Sequence, residues 1–249
     1  MSHPLTTDLA RRDLLLLAAG AGLAAMLPLP AWAQAADIKS LKIATIGSGR
    51  EGGALGTLFA KAGHPVMFSS RHPENLKELV DSAGPNAKAG TVEDAVKFAD
   101  VVLLVVPYTA VEQIGKENGA ELAKKKLVID VSNPNGRRDG EDFVKKVNDE
   151  GGAGLVTAKL LPGAKIVRAF NALGAGKLAD NAVKSDKVGV PIAGDDKGAV
   201  ELAEALIRQI GFEPVLVGGL AMGKHLVPGT PLAGEHSPAE LKQIASTLK

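Results

Sequence analysis

The sequence contains no cysteine. That absence excludes disulfide bridges, thiolate metal sites and thiol catalysis, and it leaves the redox compartment open. Aromatic residues make up 3% of the 249 residues, too few to build the stacking platforms on which single-stranded nucleic acid lies. Nor does one sign of charge dominate: 29 Lys and Arg face 28 Asp and Glu, for a formal net charge of +1. Such a balance offers no electrostatic footprint for nucleic acid. Internal repeats, low-complexity tracts and clear linkers are also missing. Hydrophobic residues, in contrast, reach 45%, enough for a sizeable core in one large domain or two small ones.

The N-terminus reads as an address. Arg11-Arg12 precede an apolar stretch, Leu14 to Leu27, followed by Pro28 and Pro30. Ala31-Trp32-Ala33 and Ala33-Gln34-Ala35 both fit a small-x-small cleavage site. The apolar stretch is shorter than the about 20 residues a membrane span needs. Residues 1–35 are therefore expected to be an export signal, cut after Ala33 or Ala35, which leaves no stable membrane span and places the mature chain in the periplasm. The string ARRDLLL resembles the twin-arginine export motif, although Ala10 precedes the pair and no lysine follows. A general secretory signal and a retained N-terminal anchor are the alternatives.

Beyond residue 35 the pattern alternates strand and helix. Leu41 to Ile46, Val66 to Ser69, Val101 to Val106 and Leu127 to Ser132 read as strands, most of them near-continuous apolar runs. Between them, Gly52 to Ala62, Pro73 to Ala83, Thr91 to Lys97 (capped by Thr91) and Val111 to Ala123 read as helices. Continuous β-branched runs separated by helices imply a mostly parallel sheet covered on both faces. The theme continues through Ile166 to Phe170, Val190 to Gly194, a helix over Lys197 to Ile210, and Glu213 to Gly218. Gly151 to Gly154 reads as a loop. The expectation is a single Rossmann-like α/β domain over residues 36–249, doubly wound, with residues 222–249 an irregular to helical tail.

The first strand runs into IGSGREGG. Gly47 permits a tight turn out of the strand, Gly49 lets a pyrophosphate approach the backbone, and Gly52 brings the helix close to the sheet, as Gly56 can one turn later. The unpaired N–H groups of Ser48, Gly49, Arg50, Glu51 and Gly52 and the positive end of the helix dipole suit a diphosphate. A GxGxxG string alone is weak, but here it follows a strand and opens a helix. The end of the second strand then bears on the cofactor. An NAD site usually places Asp or Glu about 20 residues past the glycines. This chain instead reads FSSRHPEN, with no acidic residue before Glu74. Ser69, Ser70, Arg71 and His72 can hold a 2′-phosphate, Arg71 through its planar charged fork. NADP is favoured over NAD.

The strings GSGREGG, SSRHPENL, ADVVLLVVPYTAV, KLVIDVSNP, AKIVRAFNALGA and IAGDD together resemble the NADPH-dependent reductases of coenzyme F420, a deazaflavin. They are also similar to the nucleotide-binding domain of membrane ferric reductases. The resemblance covers most of Lys42 to Gly219, and the tail from Met222 departs from it. It implies that Gly47 to Gly52 cradle the pyrophosphate and Ser70-Arg71 the 2′-phosphate. Val106, Pro107 and Tyr108 would lie along the nicotinamide ribose, Asn133 and Pro134 near the ring, and Ala169, Phe170 and Asn171 around a flat redox acceptor. Pro107, Asn133 and Asn171 each follow a strand, at the edge of an open sheet where ligands bind.

Hydride transfer between two rings needs closeness and alignment, so no catalytic acid or base is expected. Tyr108, the only tyrosine, is expected to line the cleft, and His225 and His236 to be solvated. Asp195-Asp196 reads as a helix cap rather than a metal pair. The expected activity is NADPH-dependent reduction of a small flat acceptor: a deazaflavin, a flavin or a ferric chelate. The alternatives are a non-catalytic exported nucleotide-binding module and a two-domain dehydrogenase with a helical dimerisation region, for which the last 60 or so residues are too short in helix. A homodimer is left open.

Overall fold

The structure is a computed structural model and describes residues 38–248. The export signal expected over residues 1–35 lies outside the described residues. From there the chain alternates as the apolar runs demand. Strand β1 (Ile43–Ile46) leads into α1 (Arg50–Lys61) and β2 (Val66–Ser69). A 3-10 turn (Pro73–Leu76) opens α2 (Lys77–Ala83), followed by β3 (Ala87–Gly90), α3 (Val92–Phe98) and β4 (Val101–Leu104). Helix α4 (Val111–Leu122) and β5 (Leu127–Asp130) come next, then three helices: α5 (Gly136–Asp139), α6 (Glu141–Asp149) and α7 (Ala153–Leu160). The last part holds β6 (Ile166–Arg168), α8 (Ala175–Ala182), β7 (Gly189–Gly194), α9 (Lys197–Gln209), β8 (Glu213–Gly218) and α10 (Pro238–Thr247).

The strands form one sheet in the order β3-β2-β1-β4-β5-β6-β7-β8. Neighbours from β3 to β6 run parallel, in registers such as Ile43 beside Val66 and Val101. Strand β7 then runs antiparallel to β6, and β8 parallel to β7. This is a Rossmann-like, doubly wound α/β fold. Every residue of β1, β4 and β5 is buried, because helices cover both faces and leave no polar side to alternate with. Alternate residues serve opposite cores. Ile43, Val101, Leu103 and Leu127 pack with Leu55 and Phe59 of α1 and Leu206 of α9. Ala44, Val102, Leu104 and Val128 pack with Ile114 of α4 and Val156 of α7.

Two elements depart from the sequence reading, and a third makes it definite. Strand β3 is made of Ala-Lys-Ala-Gly, which has little β preference of its own, and it forms because β2 offers it a paired edge. The loop expected at Gly151 to Gly154 is shorter. Gly151 and Gly152 turn with φ of 97° and 92°, and Ala153 already starts α7. Gly154 is small for packing rather than for turning: a Cβ there would stand 2.2 Å from the Leu220 carbonyl oxygen. The tail holds a true helix, α10, started by a reciprocal cap between Ser237 and Glu240 and anchored by buried Leu241 against Ala193 and Val215.

Candidate functional site: a cleft at the carboxyl ends of the strands

The glycine loop adopts the geometry that its spacing implies, with one change of role. Gly47 has φ of +93°, and a Cβ on it would lie 2.3 Å from the Val105 carbonyl oxygen. Gly49 caps α1 and has open space where a Cβ would be, so a ligand can reach its backbone. Gly52 was expected to bring helix and sheet together. Instead its missing Cβ makes room for the Gly47 carbonyl, 2.0 Å from where it would sit. Gly56 is the glycine that sets the helix on the sheet, against Phe68 and Thr45. The first intrahelical bond is from the Gly53 amide to Gly49, 2.7 Å. The amides of Arg50, Glu51 and Gly52 thus precede it without an intrahelical acceptor.

A cleft of about 360 Å³ opens at this helix start. It lies at the topological switch point, where the strand order reverses between β1 and β4. Its walls come from loops after four strands: Gly49 to Gly52 after β1, Val105 to Pro107 after β4, Val131 to Asn133 after β5, and Phe170 and Asn171 after β6. Asn135, Arg138, Leu173 and Pro228 complete it, and sequence reasoning did not name them. The signal for Asn135 and Arg138 was present in the turn string NPNGRR. Asn135 caps α5 through its side chain, and Arg138 donates 2.7 Å to the Asn133 carbonyl while pairing with Asp139, whose carboxyl it holds below the usual range.

The structure brings Gly49, Arg50, Glu51, Gly52, Val106, Pro107, Asn133, Phe170 and Asn171 to one cleft, and separates the other residues named from sequence. Ser48 is beside it, its hydroxyl 2.6 Å from that of Thr45. Four placements are corrections. Tyr108 does not line the cleft: it is 1% exposed, packed against Phe143, and its hydroxyl donates 2.7 Å to the Ala153 carbonyl. Burial pushes its phenol well above the ordinary value. Ala169 is wholly buried in the core beneath. Pro134 faces a neighbouring groove of about 420 Å³ shared with Arg137 and Lys224. Ser69 is buried and spends its hydroxyl on the Thr45 carbonyl, 2.7 Å away, so it is not free for a phosphate.

At the end of β2, Ser70 accepts from the His72 amide at 3.0 Å, and His72 pairs with Glu74 at 3.2 Å. Arg71 is exposed there. Beneath the cleft lies a buried polar floor. Asp130, ending β5, accepts from Ser132 on one oxygen and from Thr157 at 2.9 Å and Arg168 at 2.6 Å on the other. Arg168 also donates to the Ser132 carbonyl and the Asn133 side-chain oxygen, each at 3.0 Å. Both charges are fully buried, and the network satisfies the pair apart from Arg168 Nε, which has no partner. Phe170, next to this floor, is the one non-glycine described residue with positive φ, 63°, a conformation costly for an aromatic residue and typical of functional loops.

Glu51 is a group whose titration the sequence did not reveal. It stands in the first turn of α1, lines the cleft and receives the Ala175 amide of α8. Its Oε1 is buried without a partner. Burial pushes its carboxyl up to about 7, against the lowering pull of the Ala175 amide and Arg50. A protonated Glu51 removes a charge that would oppose a diphosphate at the helix start.

Residues 42–134 match the sequence model of the family described as NADP oxidoreductase, coenzyme F420-dependent. A hypothetical protein from Sinorhizobium meliloti, known by crystal structure, is 30% identical, with 80% of this chain and 95% of that one covered and a TM-score of 0.67. Over its nucleotide-binding part the chain is thus similar to NAD(P)-dependent oxidoreductases. The glycerol-3-phosphate dehydrogenase [NAD(P)+] of Staphylococcus epidermidis is 24% identical over 205 residues, which is 69% of this chain but only 62% of that enzyme. A crystal structure from Arthrobacter sp. FB24, described as a candidate F420-dependent NADP reductase, shares the fold with a TM-score of 0.65 at 22% identity, over 74% of this chain and 88% of that one. The expected likeness to membrane ferric reductases finds no support in these matches.

Proposed function

We propose that the chain is an NADP-dependent oxidoreductase that transfers a hydride between NADP(H) and a flat redox acceptor, a deazaflavin, a flavin or a ferric chelate. The cleft fits a dinucleotide: open backbone at Gly49 and free amides at the α1 start suit its diphosphate. The observation that carries NADP over NAD is the exposed Arg71 at the end of β2, with no carboxylate between the strand and Glu74 to repel a 2′-phosphate. Ser70 and Arg71 would hold that phosphate. Val106 and Pro107 would flank the nicotinamide side, while Phe170 and Asn171 would face the acceptor. When bound, the nicotinamide supplies the hydride, and the protein's part is alignment and exclusion of water.

Dissociation constants for NADPH and NADH on the mature chain test the cofactor. NADPH should bind more tightly, and Arg71→Ala should weaken NADPH by roughly 10-fold or more while leaving NADH nearly unchanged, as expected for a lost charge-assisted phosphate contact. Tighter NADH binding in the parent chain would reject NADP. Loss of the reduced-nicotinamide absorbance on adding deazaflavin, flavin or ferric chelate separates an enzyme from a non-catalytic nucleotide carrier. Export through residues 1–35 is also proposed. It predicts a mature protein beginning at Gln34 or Ala36, read by mass spectrometry of protein recovered from the periplasm.

A further inference from the structure

A groove of about 420 Å³ adjoins the cleft, and its lining differs in kind. Asn133, Asn135 and Pro228 line both spaces, so the segment after β5 is the ridge between them. Beyond that ridge the groove offers no aromatic residue, and so no face on which a second flat ring would stack. It offers instead two cations, Arg137 of α5 and Lys224 of the 3-10 turn Leu220–His225. Both are exposed, and neither side chain has an ion pair or hydrogen bond among the described residues. Arg138, next in the chain, is by contrast spent on Asp139 and the Asn133 carbonyl. One carboxylate, that of Glu141, shares the groove. It is pressed against Gly136, where a Cβ would strike it, and pairs with neither cation. Two cations against one anion leave the lining positive. Like charges brought to one hollow from distant stretches of chain repel each other, and an anion between them removes that repulsion.

We infer that the groove receives a phosphate on a side chain of the acceptor, whose ring lies across the ridge in the cleft. The inference rests on the dinucleotide reading above and deepens it, because it makes the acceptor a phosphorylated flat ring rather than a neutral one. Arg137 supplies a planar fork that matches two phosphate oxygens, and Lys224 a point charge from the facing wall. Val144 and Val227 give the connecting chain an apolar wall to lie along. A ring with a phosphorylated arm reaches both spaces, whereas a compact ferric chelate fills only one. Flavin and deazaflavin can each carry such an arm.

The full chain, saturated with NADP so that the dinucleotide's own phosphate sites are filled, is titrated with two pairs of rings. One pair is riboflavin and its 5′-phosphate, the other 5-deazariboflavin and its 5′-phosphate. In at least one pair the phosphate should bind roughly 10-fold or more tightly than the bare ring, and a preference in one pair alone names the ring. Raising salt from 50 to 500 mM should shrink that preference. Arg137→Ala and Lys224→Ala, singly and together, should bring the phosphate down toward its parent ring. Arg137→Gln and Lys224→Gln are read in the same way should an alanine variant not fold. Glu141→Gln should widen the preference, since it removes the one negative charge in the groove. Equal affinities within both pairs overturn the inference, as do binding by neither phosphate and a preference that survives the substitutions of both cations. Failure of NADP to bind at all rejects the dinucleotide reading instead, and the two pairs titrated alone then decide for the groove.

Discussion

At the scale of single residues, the cleft holds one carboxyl that its surroundings favour uncharged. Glu51 carries a carboxyl whose value in the folded chain, about 7, lies above that of an exposed glutamate because burial disfavours its charge. The charged form is therefore easier to hold in the unfolded chain. The stability loss is absent below the ordinary glutamate range, grows as pH rises through 7, and is constant above it. Glu51→Gln should leave melting unchanged at pH 5 and stabilise by about 1 kcal/mol at pH 8, allowing for solvent screening of a partly exposed group. Thermal melts of the two proteins at both values check it. Gly49 and Gly47 differ in another way. Gly49→Ala adds a methyl to open space and should melt like the parent while binding NADPH more weakly. Gly47→Ala forces a left-handed backbone and a clash with Val105, and should cost about 2 kcal/mol or more. The glycine spacing was legible in sequence because backbone need leaves so few residue choices. The titration of Glu51 was not, because it comes from burial, which depends on how distant parts of the chain pack around it.

At the scale of elements, the strands were readable where burial on both faces made them continuously apolar, as in β4 and β5. Where pairing rather than composition decides, as in β3, the sequence was silent. Helix α8 was missed for a related reason: Ala-Gly-Lys-Leu-Ala-Asp-Asn-Ala has one large apolar residue, Leu178, and the helix packs against α1 and meets Glu51. The polar floor was also hidden, since Asp130 and Arg168 sit inside apolar runs 38 residues apart and meet only through the β5–β6 pairing. That pair supports the whole cleft edge. Arg168→Met should cost about 3–5 kcal/mol, because it leaves the Asp130 carboxylate buried with its cationic partner gone. Urea unfolding measures it. Restoring neutrality with Asp130→Asn in the same chain should recover part of the loss, since a neutral amide at that position is easier to bury than an unpaired charge.

At the scale of the whole described chain, stability lies in the two cores and little in the surface. Pairs such as Lys77–Asp81, Lys97–Glu93 and Lys145–Asp149 are exposed, and solvent screening leaves each a small contribution. Added salt should therefore shift melting only slightly. The end of the chain matters more. Leu241 of α10 is fully buried against β7 and β8, and Leu241→Ala should destabilise by about 3 kcal/mol, as read from a denaturant midpoint. The sequence reading left this stretch open as an irregular to helical tail, and the helical alternative is the one found. The Ser237 to Glu240 spacing was its visible sign, and its hydrophobic anchor required knowing where β8 would lie.

The reversal at β7 divides labour along the chain. Because β7 and β8 point the other way, their trailing loops emerge at the rim remote from the crevice, and the described chain after α8 reaches the crevice through the arm that carries Pro228. Nucleotide grip and the outer wall of the crevice are thus encoded in separate stretches. Grafting that arm between homologues would exchange this wall while leaving the glycine loop in place.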